Sequence, residues 1–331
     1  MMTEEQYIES LRRQQKRVYF MGQLVENAVD HPAIRPHINA AAVTYRLAHD
    51  PEHAETATAI SHLTGRKINR WTHIPQNRED LVKKVQMLRA AGRVTGTCFQ
   101  RCVGMDGLIT LYTITWEIDR KYGTSYHERF KRFLIETQDN DWMTGGAMTD
   151  PKGNRAKRPS EQHDPDLYLR VVSRNEEGIV VRGAKMHQTG AVNSHQILCM
   201  PGTGMTPEEK DYALSFAVPA DAEGLIYIFG RQVNDSRKWE GTIDQGNPKY
   251  GVVGGEALIV FDDVFVPWER VFMCGETEFA GLLVDRFASY HRQNYGACKS
   301  GNLDVLIGAS AALAEMHGIE KASHVRDKLA E

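Results

Sequence analysis

Cysteine is scarce and odd in number. The 331 residues carry five, Cys98, Cys102, Cys199, Cys274 and Cys298, which argues against a disulfide framework in a chain this long. They read instead as buried thiols or as thiolate metal ligands. No run of 18 or more apolar residues occurs, so no segment suits a membrane-spanning helix. The N-terminus, MMTEEQYIESLRRQQKRVYF, lacks the apolar core of a secretory signal, and a cytoplasmic location is expected. An excess of one charge is missing too. A formal net charge of −3 gives no electrostatic footing for nucleic acid or an acidic membrane. There is no internal repeat and no G-x-G-x-x-G of the kind that holds a dinucleotide on a parallel sheet.

What remains is an ordinary folded composition, 41% hydrophobic and 25% charged, long enough for two or three lobes. Residues 4–140 read mostly as helix. TEEQYIESLRRQQ opens with a cap-like Thr followed by Glu, Glu and Gln. NREDLVKKVQMLRAAGRV spaces Leu81, Val82, Val85, Leu88 and Ala91 at helical intervals. MDGLITLYTITWEIDRKYG is apolar and β-branched, helix or buried strand by period alone; its neighbours favour helix. From Asp141 the sequence reads as loop through Tyr168. Strand-like runs follow: LYLRVVSR, GIVVRGAKM, HQILCMP, YALSFAVPA, LIYIFG and EALIVFDDVFVP. Helical pattern returns near Glu276.

The C-terminal third contains one unusual stretch, ASYHRQNYGACKSG. As a helix, it sets His291 and Cys298 seven apart, within about 20° of each other. Tyr295 lies between them, and Lys299 lies at the edge of the same face. GTCFQRCVG places Cys98 and Cys102 four apart, on one face if helical. Together the two segments supply three thiols and an imidazole, a donor set suited to zinc or an iron–sulfur cluster. Free cysteine is also a common small core residue, and C-x3-C is not the usual zinc knuckle, so burial alone also accounts for that pair. Cys199 and Cys274 fall in or beside strand-like runs and read as core.

Two Gly-flanked segments, GAMTDPKGNR and VVRGAKMHQTGAVNSHQ, resemble the flavin-contact loop and the flavin-facing strand of acyl-CoA dehydrogenase-like proteins. Read alone, Met148, Thr149 and Thr189 are ordinary turn and strand residues. With GTCFQRCVG, RGAKMHQTGA, VVGGEALIVFDDVFVPWERVF and DRFASYHRQNYGACK, nearly the whole chain resembles the dehydratase branch of the 4-hydroxyphenylacetate 3-hydroxylase flavoprotein family. That resemblance implies an α+β, acyl-CoA dehydrogenase-like fold. Its parts are an N-terminal helical domain (1–140), a central β domain (141–275) and the start of a C-terminal helical bundle (276–331) that continues past Glu331 in the family.

The resemblance further implies a [4Fe-4S] cluster held by Cys98, Cys102, His291 and Cys298, with FAD beside it near Met148, Thr149 and Thr189. Glu256, Tyr295, Lys299 and His291 take catalytic roles. The implied reaction is dehydration of 4-hydroxybutyryl-CoA to crotonyl-CoA, with vinylacetyl-CoA isomerisation, in a homotetramer. Such a reaction is hard because the thioester acidifies hydrogen at C2 and not at C3. Flavin as a transient one-electron acceptor and iron as a Lewis acid at the departing hydroxyl meet that difficulty. His291 is a candidate ligand and base, Glu256 a second proton-transfer group, Tyr295 a donor to the departing oxygen, and Lys299 an anchor for carbonyl or flavin. Without the resemblance, Glu256 reads as a capping loop carboxylate and Lys299 as a solvated helix charge. The hydroxylase branch lacks the cysteine–histidine set. A two-component flavin-dependent aromatic monooxygenase is the alternative, and a flavin-binding or oligomerising domain without turnover is a third.

Overall fold

The computed structural model describes residues 1–230, 249–251 and 254–331. The N-terminal cap forms as the sequence predicts. Thr3 accepts from the Gln6 backbone, and the Gln6 side chain returns to the Thr3 N–H. Helix α1 (Glu4–Arg12) then buries Tyr7, Ile8 and Leu11. Helices α2 (Arg35–Arg46), α3 (Ala54–Ala57), α4 (Arg78–Thr95), α5 (Cys102–Tyr122) and α6 (Tyr126–Asp139) follow. Asn77 caps α4 by accepting from Asp80 N. Left-handed glycines, Gly96 and Gly123, end α4 and α5. The ambiguous MDGLITLYTITWEIDRKYG run is helical, as its neighbours favoured.

The first 140 residues are less helical than their pattern suggests. Strands β1 (Arg17–Phe20) and β2 (Gln23–Val25) form a hairpin. Its turn residues, Met21 and Gly22, both have positive φ, the twist that a two-residue hairpin requires. A second small pair joins β3 (Thr58–Ile60) to β4 (Lys67–Asn69). These strands are too short to outweigh the helical periods around them.

The strand-rich part also begins inside the stretch that reads as loop: Thr144–Ala147 is β5. Its two glycines leave little period to detect, yet both are buried. A Cβ at Gly145 would meet Ser194 Oγ at 2.8 Å, so only glycine fits there without displacement. The other strands are β6 (Arg170–Arg174), β7 (Gly178–Thr189), β8 (Gln196–Cys199), β9 (Leu214–Pro219), β10 (Leu225–Phe229), β11 (Glu256–Pro267) and β12 (Val271–Cys274). One sheet runs β2-β1-β10-β11-β7-β6 and a second β12-β9-β8-β5. Thus β1, from the helix-rich region, pairs in parallel with β10. The long antiparallel β7–β11 pair brings Thr189 opposite Glu256 at one end. Alternation on β11 buries Ala257, Ile259 and Phe261, the period-2 pattern of a strand with one core face.

The chain closes with α7 (Thr277–Met316) and α8 (Ser323–Ala330). Helix α7 crosses α4 at unusually short range. A Cβ on Gly92 would stand 2.5 Å from the Cys298 carbonyl, and one on Gly301 would stand 2.9 Å from Arg93 N. Glycine on both helices lets the backbones touch, and that contact fixes the height of Cys298 against α4. No helix among the described residues is long and apolar enough to cross a membrane.

Candidate active site

Cys98 and Cys102 do not share a helix face. Cys98 lies in the turn after α4, and Cys102 is the first residue of α5. Gln100 between them takes a left-handed φ of 66° and is fully buried. Its side chain donates to His37 O at 2.9 Å and accepts from Asn193 Nδ2 at 2.8 Å. These bonds hold a conformation that is costly for a non-glycine residue. The tight turn keeps Cys98 close enough to raise the resistance of Cys102 to ionisation. Burial is the larger cause and pushes Cys98 up to about 11, with Cys298 adding to it. Cys102 is pushed well above the usual thiol range by burial, then by Cys98, Asp106 and Cys298. Cys298 is also raised by burial, with Lys299 opposing. Cys98, Cys102 and Cys298 therefore form one electrostatic neighbourhood. Cys199 is buried in β8, and Cys274 ends β12 with its sulfur 3.9 Å from Arg174.

Helix α7 supplies the fourth group. His291 Nδ1 lies 2.9 Å from Asp106 Oδ2, and Asn294 Nδ2 donates to Asp106 Oδ1 at 2.5 Å. Phe287, one turn earlier, stacks on the imidazole at 5.5 Å between centroids. Tyr295 is 59% exposed. Lys299 Nζ stands 5.2 Å from the Tyr295 ring centre, within cation–π range. Lys299 and Cys98 line a cleft of about 690 Å³ with Thr97, Gly296, Leu303 and Leu306. No neighbouring atom lies within 4 Å of a Cβ position at Gly296.

The sheet contributes the other wall. Thr189 Oγ1 donates to Glu256 Oε1 at 3.3 Å, and His187 Nδ1 lies 3.6 Å from Glu256 Oε2. Glu256 belongs to the electrostatic surroundings of Cys98, so thiols and sheet end meet. Val252 and Val253, which open the VVGGEALIVF motif, lie outside the described residues. Met148 and Thr149 are fastened to β7: Gln188 accepts from Met148 N and donates to Thr149 O, and Met186 N donates to Thr149 O. That brings the segment beside Thr189, which follows Gln188 directly.

The donor set decides what such a site can hold. Among the described residues no three or more His, Cys, Asp or Glu groups converge as on a single metal ion. A cubane distributes four ligands over four irons, so it does not need that convergence. Three soft thiols in one neighbourhood, plus an imidazole tied through one nitrogen only, fit a cluster in chemistry. Raised thiols mean that metal binding must displace protons.

Asp106, Lys84, Asn294, Gln100 and His187 do not stand out from sequence spacing. Asp106 carried a usable signal, since it extends C-x3-C to C-x3-C-x3-D. Asn294 sits three after His291. Lys84 is remote in sequence, and only the α4–α7 contact brings it near.

Comparison with known proteins places these features in context. Residues 3–273 match the family model "4-hydroxyphenylacetate 3-hydroxylase N terminal", and residues 280–331 match its C-terminal counterpart. A 4-hydroxybutyryl-CoA dehydratase/vinylacetyl-CoA-Delta-isomerase of Clostridium aminobutyricum is 56% identical over 333 residues, covering 100% of this chain and 68% of that protein. The solved structure of an oxygen-tolerant archaeal 4-hydroxybutyryl-CoA dehydratase from N. maritimus superposes with a TM-score of 0.94 at 53% identity, covering 99% of this chain and 65% of that one. The oxygenase component of 4-hydroxyphenylacetate 3-monooxygenase, solved with FAD, gives 0.81 at 28% identity, covering 100% of this chain and 68% of that one. An acyl-CoA dehydrogenase from Slackia heliotrinireducens, at 0.52 and 16% identity over 99% of this chain and 71% of that one, shares the fold alone. The chain therefore spans about two thirds of the length of these two dehydratases.

Proposed function

The chain belongs to the 4-hydroxyphenylacetate 3-hydroxylase family, and from that membership we propose that it serves as a hydro-lyase with associated isomerase activity. It removes water from 4-hydroxybutyryl-CoA to give crotonyl-CoA and isomerises vinylacetyl-CoA. One observation carries this choice within the family: three thiols share one electrostatic neighbourhood that reaches Glu256 on one side and Asp106, the partner of His291, on the other. A hydroxylase working with reduced flavin and oxygen has no use for those four donors.

In this proposal Cys98, Cys102, Cys298 and His291 hold a [4Fe-4S] cluster, and FAD lies near Met148, Thr149 and Thr189. FAD supplies a reversible electron acceptor and the cluster a Lewis-acidic iron. The chain's own groups handle protons and charge. Glu256, already accepting from Thr189, takes or returns a substrate proton at its carboxylate. His291 Nε2 binds iron or takes a proton, one at a time. Tyr295, whose ring lies against Lys299, offers a hydroxyl donor, and Lys299, at the cleft wall, an ammonium for a thioester carbonyl or flavin oxygen. The leucines Leu303 and Leu306 give the cleft an apolar side suited to an acyl chain. Residues 1–140, 141–275 and 276–331 act as three lobes of an acyl-CoA dehydrogenase-like fold, assembled as a homotetramer.

Anaerobic purification with iron, sulfide and flavin analysis tests the proposal. About four irons per chain, lost in Cys98→Ala, with conversion of 4-hydroxybutyryl-CoA, is the expected outcome. Flavin without iron, together with oxygen-dependent hydroxylation of a phenol, would replace it with the monooxygenase reading that the 0.81 likeness to the FAD-bound oxygenase favours.

A further inference from the structure

Beneath His291 lies a buried polar network that the roles above leave unused. Asp106, one turn into α5, is fully buried. One oxygen faces His291 Nδ1 at 2.9 Å; the other accepts from Asn294 Nδ2 at 2.5 Å. Lys84, from α4 and itself 2% exposed, brings its ammonium to 3.6 Å from that second oxygen. The same ammonium lies 3.4 Å from Gln293 Oε1 and 5.6 Å from the Tyr290 ring centre. Burying a carboxylate without a cation is expensive, and Lys84 offsets that cost. An ordinary structural ion pair would put the cation closest. Here the neutral donor and the imidazole take the short positions, and the lysine stands further back.

With Asp106 as the acceptor in this contact, Nδ1 carries the hydrogen and the lone pair of a neutral ring belongs to Nε2. Phe287 stacking at an interplanar angle of 16° sets the plane of the ring, and Asp106 sets its rotation within that plane. We propose that Asp106, held in place by Lys84 and Asn294, is a positioning residue that fixes the tautomer and orientation of His291 and presents Nε2 to iron. This role rests on the cluster assignment made above. A partner on the second nitrogen of a ligating histidine also raises its basicity.

The test is 57Fe Mössbauer spectroscopy of the anaerobic holoenzyme, wild type against Asp106→Ala, with iron, flavin and turnover measured on the same samples. Expected in the variant are full flavin, loss of the separate doublet of the nitrogen-ligated iron, and turnover lower by about 10–100-fold. Should Asp106→Ala fail to fold, the Lys84→Met/Asp106→Leu variant removes both buried charges together and is expected to fold while losing the same doublet. A folded variant with a wild-type doublet and turnover overturns the positioning role and leaves the cluster assignment intact. Wild-type enzyme that contains flavin but no cluster overturns the assignment and this role with it.

Discussion

Cys98 and Thr189 meet across Gly254. A Cβ added to that glycine would stand 2.7 Å from Thr189 Cγ2 and 3.2 Å from Cys98 Sγ. The thiol turn after α4 and the end of β7 are therefore separated by one hydrogen-bearing backbone carbon. In the proposed enzyme this is where the cluster side of the site adjoins the flavin side.

Gly254→Ala should disturb both cofactors at once. Neither neighbour has a long flexible arm to swing aside, so the turn or the strand end must shift, at a cost of about 1–3 kcal/mol. Misplacement of about 1 Å costs on the order of 100-fold in turnover. Iron and flavin contents are both expected to fall below wild type. Loss of one alone would show that the two sides are not coupled through this position.

Glu256→Gln should separate chemistry from cofactor binding. The amide keeps the size of the carboxylate and still accepts from Thr189, but it cannot take a proton. Turnover is expected to drop by about 10²–10⁴-fold, with iron and flavin per chain unchanged and KM altered little. Steady-state kinetics beside cofactor analysis checks this. Cofactor loss in the variant would recast Glu256 as a structural residue.

How much of this was legible in the sequence varies by residue. Local chemistry was readable: the Thr3–Gln6 cap, the strand alternation of β11, and the helix carrying His291, Tyr295 and Cys298. The nearness of Cys98, Cys102 and Cys298 was readable from spacing, yet for a wrong local reason. Cys98 and Cys102 approach through a strained turn at Gln100, whose support comes from His37 and Asn193, far away in the chain. β5 was missed because Gly145 and Gly146 carry no hydrophobic period; what they encode is closeness to a neighbouring layer. Asp106 and Lys84 were missed because buried charge has no pattern of its own until α4, α5 and α7 are packed together.

His195 should give the protein a pH-dependent stability unrelated to the site. Its Nδ1 accepts from Met143 N at 3.0 Å, and Nε2 lies 2.8 Å from Ser10 Oγ. Protonation would set a new N–H against the Met143 N–H. Burial, then Lys16 and Arg101, lowers its pKa to about 3. The unfolded chain binds the proton below about 6.5 while the folded chain refuses it until about 3. Stability is thus complete above the unfolded value and is lost as pH falls from 6.5 towards 3, by about 2 kcal/mol at pH 5. In urea unfolding at pH 7 and pH 5, His195→Asn should start less stable but lose less on acidification. Equal losses in both proteins would remove His195 as the cause.

The Lys185–Asp150 pair should govern flavin retention through the Met148–Thr149 segment. Both side chains are only 4% exposed, and the pair closes at 2.7 Å. Lys185 Nζ also donates to Met148 O and Met200 O, each at 2.9 Å. The ammonium therefore ties β7 to the segment on one side and to the residue after β8 on the other. Lys185→Met leaves a buried carboxylate and two carbonyls without their donor. A loss of about 3–5 kcal/mol in stability is expected. Adding Asp150→Leu removes the stranded charge and should return most of that stability in thermal unfolding. It does not restore the tether to Met148. Flavin retained after gel filtration should therefore stay low in the double variant although its stability recovers. If flavin retention recovers in step with stability, the tether has no role beyond folding, and the segment finds its place through Gln188 and the Met186 N–H.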